Sequence, residues 1–365
     1  MEPFRIDVAQ ADLDDLADRV RRTRWTRDLG HRPWERGVPS DVLRALAAYW
    51  VEGYDWRAAE ERINAVPGFR TEVDRQSVHL LHQRSADPGA VPLVLTHGWP
   101  GAVWEFLPVL DRLTAAGPGA VHAVVPALPG YGWSSPLAGE GWTVDRVARA
   151  WIALMDELGY DRFAVQGGDW GSAVSRQVAV LAPDRVVGLH LNMLMQREPD
   201  SEPLDDTERR HRERMAWFRR EGRGYNVLQA TRPDTVAHAL GDSPVGLLAW
   251  VLEKLHDWTD PSSAYGGIDR DTLLTLVTTY WLTDTAGSSA QLYWERQHHP
   301  MRDEPVSVPT AFAVFAHDIL PPLRRVAEET HRVVRWREHD AGGHFAALEQ
   351  PEVFVSDVRE FVADL

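Results

Sequence analysis

The stretch best equipped for chemistry is Phe163-Ala-Val-Gln-Gly-Gly-Asp-Trp-Gly-Ser172, where an apolar run meets a glycine-rich turn and then the helix-forming residues 173–181. Small residues on both sides of Asp169 mark a strand-to-helix elbow that pushes one side chain forward as a nucleophile. Gly167, Gly168 and Gly171 permit the sharp turn, and a helix N-terminus beyond it favours negative charge. Asp169 is thus a candidate carboxylate nucleophile; the competing reading is an ordinary helix cap, a frequent use of aspartate. Three further segments supply what such a nucleophile needs. His97-Gly-Trp-Pro-Gly101 follows the apolar run 93–96 and offers backbone amides to an oxyanion, although a His-Gly turn is a weak sign by itself. Phe315-Ala-His-Asp318 follows the run 310–315, and Ala341-Gly-Gly-His-Phe345 lies near the C-terminus after an extended stretch. The order along the chain is nucleophile, acid, base: Asp169, Asp318, His344.

Composition removes the main rivals of a carboxylate. The 365 residues contain no cysteine, which excludes a thiol nucleophile, disulfides and thiolate metal sites. Lys254 is the only lysine, and it lies in a helical-looking segment rather than in a glycine-rich phosphate loop. Balancing 39 basic against 54 acidic residues gives a net charge of −15, which repels nucleic acid and anionic membranes. His298-His299 has no histidine or carboxylate partner at metal-ligand spacing, so a surface or hinge role is expected and no cofactor is implied. Sixteen tryptophans are many for this length. No signal-peptide pattern opens the sequence and no window is long enough to span a bilayer, so a soluble, cytoplasmic protein is expected.

The elements that must position these residues can be read from periodicity. Residues 1–90 read as a helical arm with a small hairpin. Leu13, Leu16 and Val20 recur at helical spacing, Ser40 and Asp55 are placed to cap helices, and Asp74-Arg-Gln-Ser separates two extended runs. From 91 onward, continuous apolar runs at 93–96, 121–125, 163–166, 187–192 and 310–315 alternate with helical segments. Strands buried on both faces have this composition, which predicts an α/β fold with a mostly parallel central sheet and helices on both faces. Between about 197 and 305 the strand-like runs give way to arginine- and aromatic-rich helices, so the expected organisation is arm 1–90, core 91–196, helical cap 197–305 and core again 306–365. The alternating charges of 208–223 suggest a solvated helix.

Taken together, these motifs resemble an epoxide hydrolase of the microsomal type, on the α/β-hydrolase fold, over essentially the whole chain. The residues that carry the resemblance are His97-Gly-Trp-Pro-Gly101, Gly167-Gly-Asp-Trp-Gly171, Gln229-Ala-Thr-Arg-Pro-Asp-Thr235, Asp242-Ser-Pro-Val-Gly246 and Gly342-Gly-His-Phe-Ala-Ala347, with Val78-His-Leu-Leu-His-Gln-Arg-Ser85 in the arm. The triad order is also that of α/β-hydrolases. Mammalian members carry an N-terminal membrane anchor, whereas this sequence starts at the arm. The resemblance implies two cap tyrosines that hold the epoxide oxygen, matched by Tyr225 and Tyr293; the residues alone rank neither above Tyr265 or Tyr280. It also assigns the backbone N–H groups of Trp99 and Trp170 to the oxyanion hole, with both indoles walling the substrate pocket.

The implied reaction needs no cofactor: Asp169 attacks a small apolar epoxide, the tyrosines bond the departing oxygen, and His344 with Asp318 activates water against the resulting ester. Its product is a vicinal diol. A haloalkane or haloacid dehalogenase shares the aspartate elbow but would replace the tyrosines with halide-binding tryptophan or asparagine. The same fold could also serve an epoxide-opening biosynthetic cyclase or a catalytically dead binding module. Detoxification and secondary metabolism are both compatible with the sequence, its arginine bias suggests a GC-rich bacterial genome, and the resemblance leaves room for a homodimer.

Overall fold

The computed structural model describes all residues except Leu29, Glu198, Asp200 and Leu204. The N-terminal residues form a short strand β1 (Glu2–Pro3) and three helices, α1 (Gln10–Arg21), α2 (Ser40–Glu52) and α3 (Trp56–Asn64). Asp55 caps α3 by accepting from the Arg57 and Ala58 amides. Ser40 does not cap α2: it is the first helical residue, and Pro39, with no side-chain acceptor, occupies the cap. The hairpin β2 (Gly68–Val73) and β3 (Gln76–Gln83) turns on two residues only, Asp74 and Arg75, with φ of 49° and 64°. That left-handed pair matches the twist of the strands, so Gln76 and Ser77 belong to β3 instead of the turn.

The five apolar runs are β4 (Val91–Thr96), β5 (Val121–Pro126), β6 (Phe163–Gly167), β7 (Val186–Leu191) and β8 (Val306–Phe315); helices α4 (Leu107–Thr114), α5 (Val144–Glu157) and α6 (Asp169–Leu181) alternate with them. The helix after the elbow therefore begins at Asp169 itself, four residues before its apolar periodicity suggests. Between β7 and β8 run α7 (Asp206–Trp217), α8 (Gly224–Thr231), α9 (Pro233–Asp242), α10 (Pro244–Asp257), α11 (Arg270–Leu282) and α12 (Thr285–His298). Ser243 and Pro244 start α10, the serine accepting from the Gly246 amide, and Asp269 caps α11 in the same way through Thr272. The chain closes with α13 (Arg324–Thr330), β9 (His331–His339), α14 (Ala346–Glu349) and α15 (Pro351–Ala363).

Among the described residues, nine strands form one sheet in the order β1-β2-β3-β5-β4-β6-β7-β8-β9. From β5 to β9 neighbours are parallel, while β1, β2 and β3 add antiparallel to the β5 edge, so the N-terminal hairpin extends the central sheet. This is the α/β-hydrolase arrangement. Among the described residues, no single helix is long and apolar enough to cross a membrane.

Candidate active site

In an open parallel sheet, ligands bind beyond the carboxyl ends of the strands, where loops and helix N-termini converge. Trp99 follows β4, Asp169 follows β6, Asp318 follows β8 and His344 follows β9. Asp169 sits at the elbow with φ of 45°, a conformation costly for a residue with a Cβ, and is 8% exposed. The turn is close enough that a Cβ on Gly98 would lie 2.3 Å from the Asp169 side chain, and one on Gly171 would lie 1.8 Å from the Thr96 carbonyl oxygen.

Asp169 does not cap its helix: α6 has no side-chain cap, and the Asp169 Oδ1 accepts instead from the Trp99 amide at 2.7 Å. Oδ2 faces His344 Nε2 at 3.5 Å. On the far side of the imidazole, Nδ1 lies 2.8 Å from Asp318 Oδ1, which also accepts from the Ile319 amide at 2.6 Å. Asp318 is 1% exposed. Burial alone would lower the pKa of His344, but the carboxylates of Asp318 and Asp169 outweigh it and hold the imidazolium well above its ordinary range. The Trp170 amide belongs to the first turn of α6, whose earliest backbone bond runs from Ser172 to Gly168, leaving amides there without intrahelical acceptors.

Tyr225 on α8 and Tyr293 on α12 meet above this triad. The Tyr225 ring stacks on Trp99 at 5.0 Å, and Tyr293 approaches Trp99 edge-on at 5.8 Å and Trp170 at 4.8 Å. Both phenols are buried, which raises each well above its ordinary pKa and keeps the proton on. The Tyr293 hydroxyl has no hydrogen-bond partner among the described residues. The two tyrosines of equal standing in the sequence go elsewhere: Tyr280 donates to the Gly101 carbonyl at 3.0 Å, and Tyr265 lies in a left-handed turn at φ 51°.

Several neighbours carry no motif of their own. Trp258, just after α10, is fully buried against Tyr225 at 5.2 Å and His344 at 4.9 Å, and its carbonyl accepts from the His344 amide at 2.9 Å. Glu105 accepts from the Ala102 amide at 2.9 Å and lines a small cavity with Trp99, Asp169 and His344; burial raises its carboxyl to about 8. That cavity has a volume of about 30 Å³, and neither Tyr225 nor Tyr293 lines it. Arg214, in the segment expected to be solvated, reaches inward to the carbonyls of His317 and Asp318 at 3.3 Å each, because its guanidinium finds buried acceptors beside the acid loop. His317 turns away from the triad, 3.8 Å from Asp260; His298 ends α12, bonded to the Trp294 carbonyl, and His299 follows it, 3.5 Å from Glu295. Among the described residues, no group of three or more His, Asp or Glu could hold a metal ion.

Residues 1–106 match the family profile described as epoxide hydrolase N terminus, and residues 91–351 match that of the alpha/beta hydrolase fold. A relative from Stigmatella aurantiaca is 42% identical over 98% of this chain and 84% of its own length. Epoxide hydrolase 1 of Sus scrofa is 32% identical over 99% of this chain and 88% of its own. The solved structure of Aspergillus niger epoxide hydrolase superposes with a TM-score of 0.92 at 33% identity, covering 100% of this chain and 96% of that one. Sequence, fold and whole-chain coverage agree that this chain belongs to the epoxide hydrolase family of the microsomal type.

Proposed function

We propose that this epoxide hydrolase works through a covalent ester on Asp169. The observation that carries the reading is the division of labour between the two oxygens of that carboxylate. Oδ1 is held by the Trp99 amide at 2.7 Å, while Oδ2 is the oxygen left to attack. Oδ2 forms a bond to one ring carbon of a small apolar epoxide, the C–O bond breaks, and its electron pair stays on the departing oxygen. Tyr225 and Tyr293 donate hydrogen bonds to that oxygen and one phenol gives it a proton, leaving a hydroxyalkyl ester on Asp169 and a phenolate.

Water then attacks the ester carbonyl. His344, oriented by Asp318 at 2.8 Å, takes the proton; the tetrahedral stage collapses by breaking the bond between its carbon and Oδ2, the departing diol oxygen takes that proton from His344, and the acid left on Asp169 returns one to the phenolate. Forming the ester removes one of the two carboxylate charges that raise His344, with Asp318 remaining, so the imidazole holds a proton less tightly in the intermediate than in the resting enzyme. The negative charge of the tetrahedral stage falls on Oδ1 and is met by the amides of Trp99 and Trp170; one such donor contributes about 3–4 kcal/mol in comparable acyl chemistry. The cavity beside Asp169 and His344 has space for about two waters, taking roughly 10–15 Å³ for each. The helices between β7 and β8 act as a cap over the reaction, with the Trp99 and Trp170 indoles walling the substrate.

A single turnover in oxygen-18 water tests this route. The first diol is expected to carry the unlabelled oxygen of Asp169, with the label left on that carboxylate. Label in the first diol would mean direct attack by water and would overturn the ester.

A further inference from the structure

The chain uses arginine for every basic residue but one, and the exception is buried, only 2% exposed, beneath the proposed site. Lys254 lies on α10 in a stripe with Trp250 and Trp258, spaced four residues apart so that all three share one face. This stripe runs along the corresponding stripe of α8, formed by Tyr225 and Gln229. The Trp250 indole donates to Gln229 at 3.1 Å, the Trp258 ring meets Tyr225 at 5.2 Å, and between them the Lys254 ammonium stands 4.9 Å from the centre of the Tyr225 ring and 5.2 Å from that of Trp250. Its acidic partner is the neighbouring Glu253, which is partly exposed.

Burying an ammonium is costly, and a lysine here has little to offer packing that a methionine would not. We propose that Lys254 is a positioning residue for ring opening, its charge set against the face of Tyr225 to strengthen that phenol as a hydrogen-bond donor. The inference rests on the proposed role of Tyr225. Burial in an aromatic cage holds the Tyr225 phenol well above its ordinary pKa, which weakens it as a donor. A cation over the ring acts in the opposite sense. As Asp169 Oδ2 bonds to the ring carbon and the epoxide C–O pair withdraws onto oxygen, part of that charge is shared with the phenol, and the ring becomes more electron-rich. The ammonium is attracted to it more strongly in this transition state than in the resting enzyme, which is the condition for accelerating a step.

The test separates the two half-reactions by single-turnover fluorescence with styrene oxide, in wild type, Lys254→Met, Tyr225→Phe and the double variant. Lys254→Met is expected to slow ester formation tenfold or more while ester hydrolysis stays within about twofold of wild type. In the Tyr225→Phe background the same substitution should change ester formation less than twofold, because the hydroxyl it acts through is gone. Unchanged ester formation in Lys254→Met overturns the inference, as does an equal slowing of both steps or the same tenfold loss without the hydroxyl; each would make Lys254 structural or idle. Normal ester formation in Tyr225→Phe removes that tyrosine from the reaction and the inference with it. Should Lys254→Met not fold, Lys254→Arg keeps the charge and is expected to retain ester formation within a few-fold, and a drop to the Tyr225→Phe rate refutes the proposal.

Discussion

Asp169 reaches its position through a backbone conformation that its residue type resists, at φ 45°, and the surroundings pin it there. The Trp99 amide fixes one oxygen, and the left-handed turn at the elbow throws the side chain away from its own helix and toward His344. The same cavity encloses a second carboxyl, Glu105, whose proton is retained to about 8 by burial. A carboxyl with a raised folded-state pKa contributes stability that is complete below its ordinary value near 4.5 and is lost as pH rises through about 8. Glu105→Gln keeps the acceptor for Ala102 and removes the titration. The thermal midpoint of the variant is therefore expected to gain on that of wild type between pH 5 and 8. Midpoints separated by a constant interval across that range would show that burial does not raise the Glu105 carboxyl above its ordinary value.

At the scale of elements, four groups meet because β4, β6, β8 and β9 point the same way and deliver their following loops to one edge of the sheet. This convergence requires α6 to start hard against the end of β4. Gly171 makes that possible: any Cβ there would sit 1.8 Å from the Thr96 carbonyl oxygen, and a strand backbone cannot yield as a flexible side chain would. Gly171→Ala is expected to lose at least about 3 kcal/mol, the upper end of ordinary overpacking. Denaturant unfolding followed by tryptophan fluorescence would read it. A variant as stable as wild type would mean that α6 can slide outward, and its catalysis should then suffer instead.

Over the whole molecule, the N-terminal helices serve as a clamp on the segment that carries the tyrosines. From α2 and the turn after it, Trp50 donates to Thr278 at 2.8 Å, Tyr49 to Asp271 at 2.6 Å, and Tyr54 lies 2.9 Å from Thr275, all on α11. That helix in turn bonds the loop after β4 through Tyr280 and Gly101. The arm is thus linked to the Trp99 amide through one intervening helix. Trp50→Phe keeps most of the apolar burial but deprives the buried Thr278 hydroxyl of its donor, a loss of about 1–3 kcal/mol. Thermal unfolding is expected to begin at a lower temperature in this variant. An unchanged transition would leave the arm without a stabilising role at this contact.

The sequence by itself determined the parallel sheet and marked Asp169, Asp318 and His344 as candidates. Strands buried on both faces are written as unbroken apolar runs, and the elbow and the acid each sit at the end of such a run, whereas the base follows β9, a strand of mixed polar and apolar residues. The helical insertion was legible for the same reason, as the stretch where those runs stop. What only tertiary structure decided is which distant side chains surround the triad. Tyr225 and Tyr280 are indistinguishable by type and periodicity; only the packing of α8 and α11 turns one ring onto Trp99 and the other onto Gly101. Glu105, Arg214 and Trp258 belong to no motif, and Lys254 stands out along the chain only as a lysine outside any phosphate loop. Local chemistry is set by spacing along the chain, whereas burial and the contacts between helices arise from how the elements close on one another.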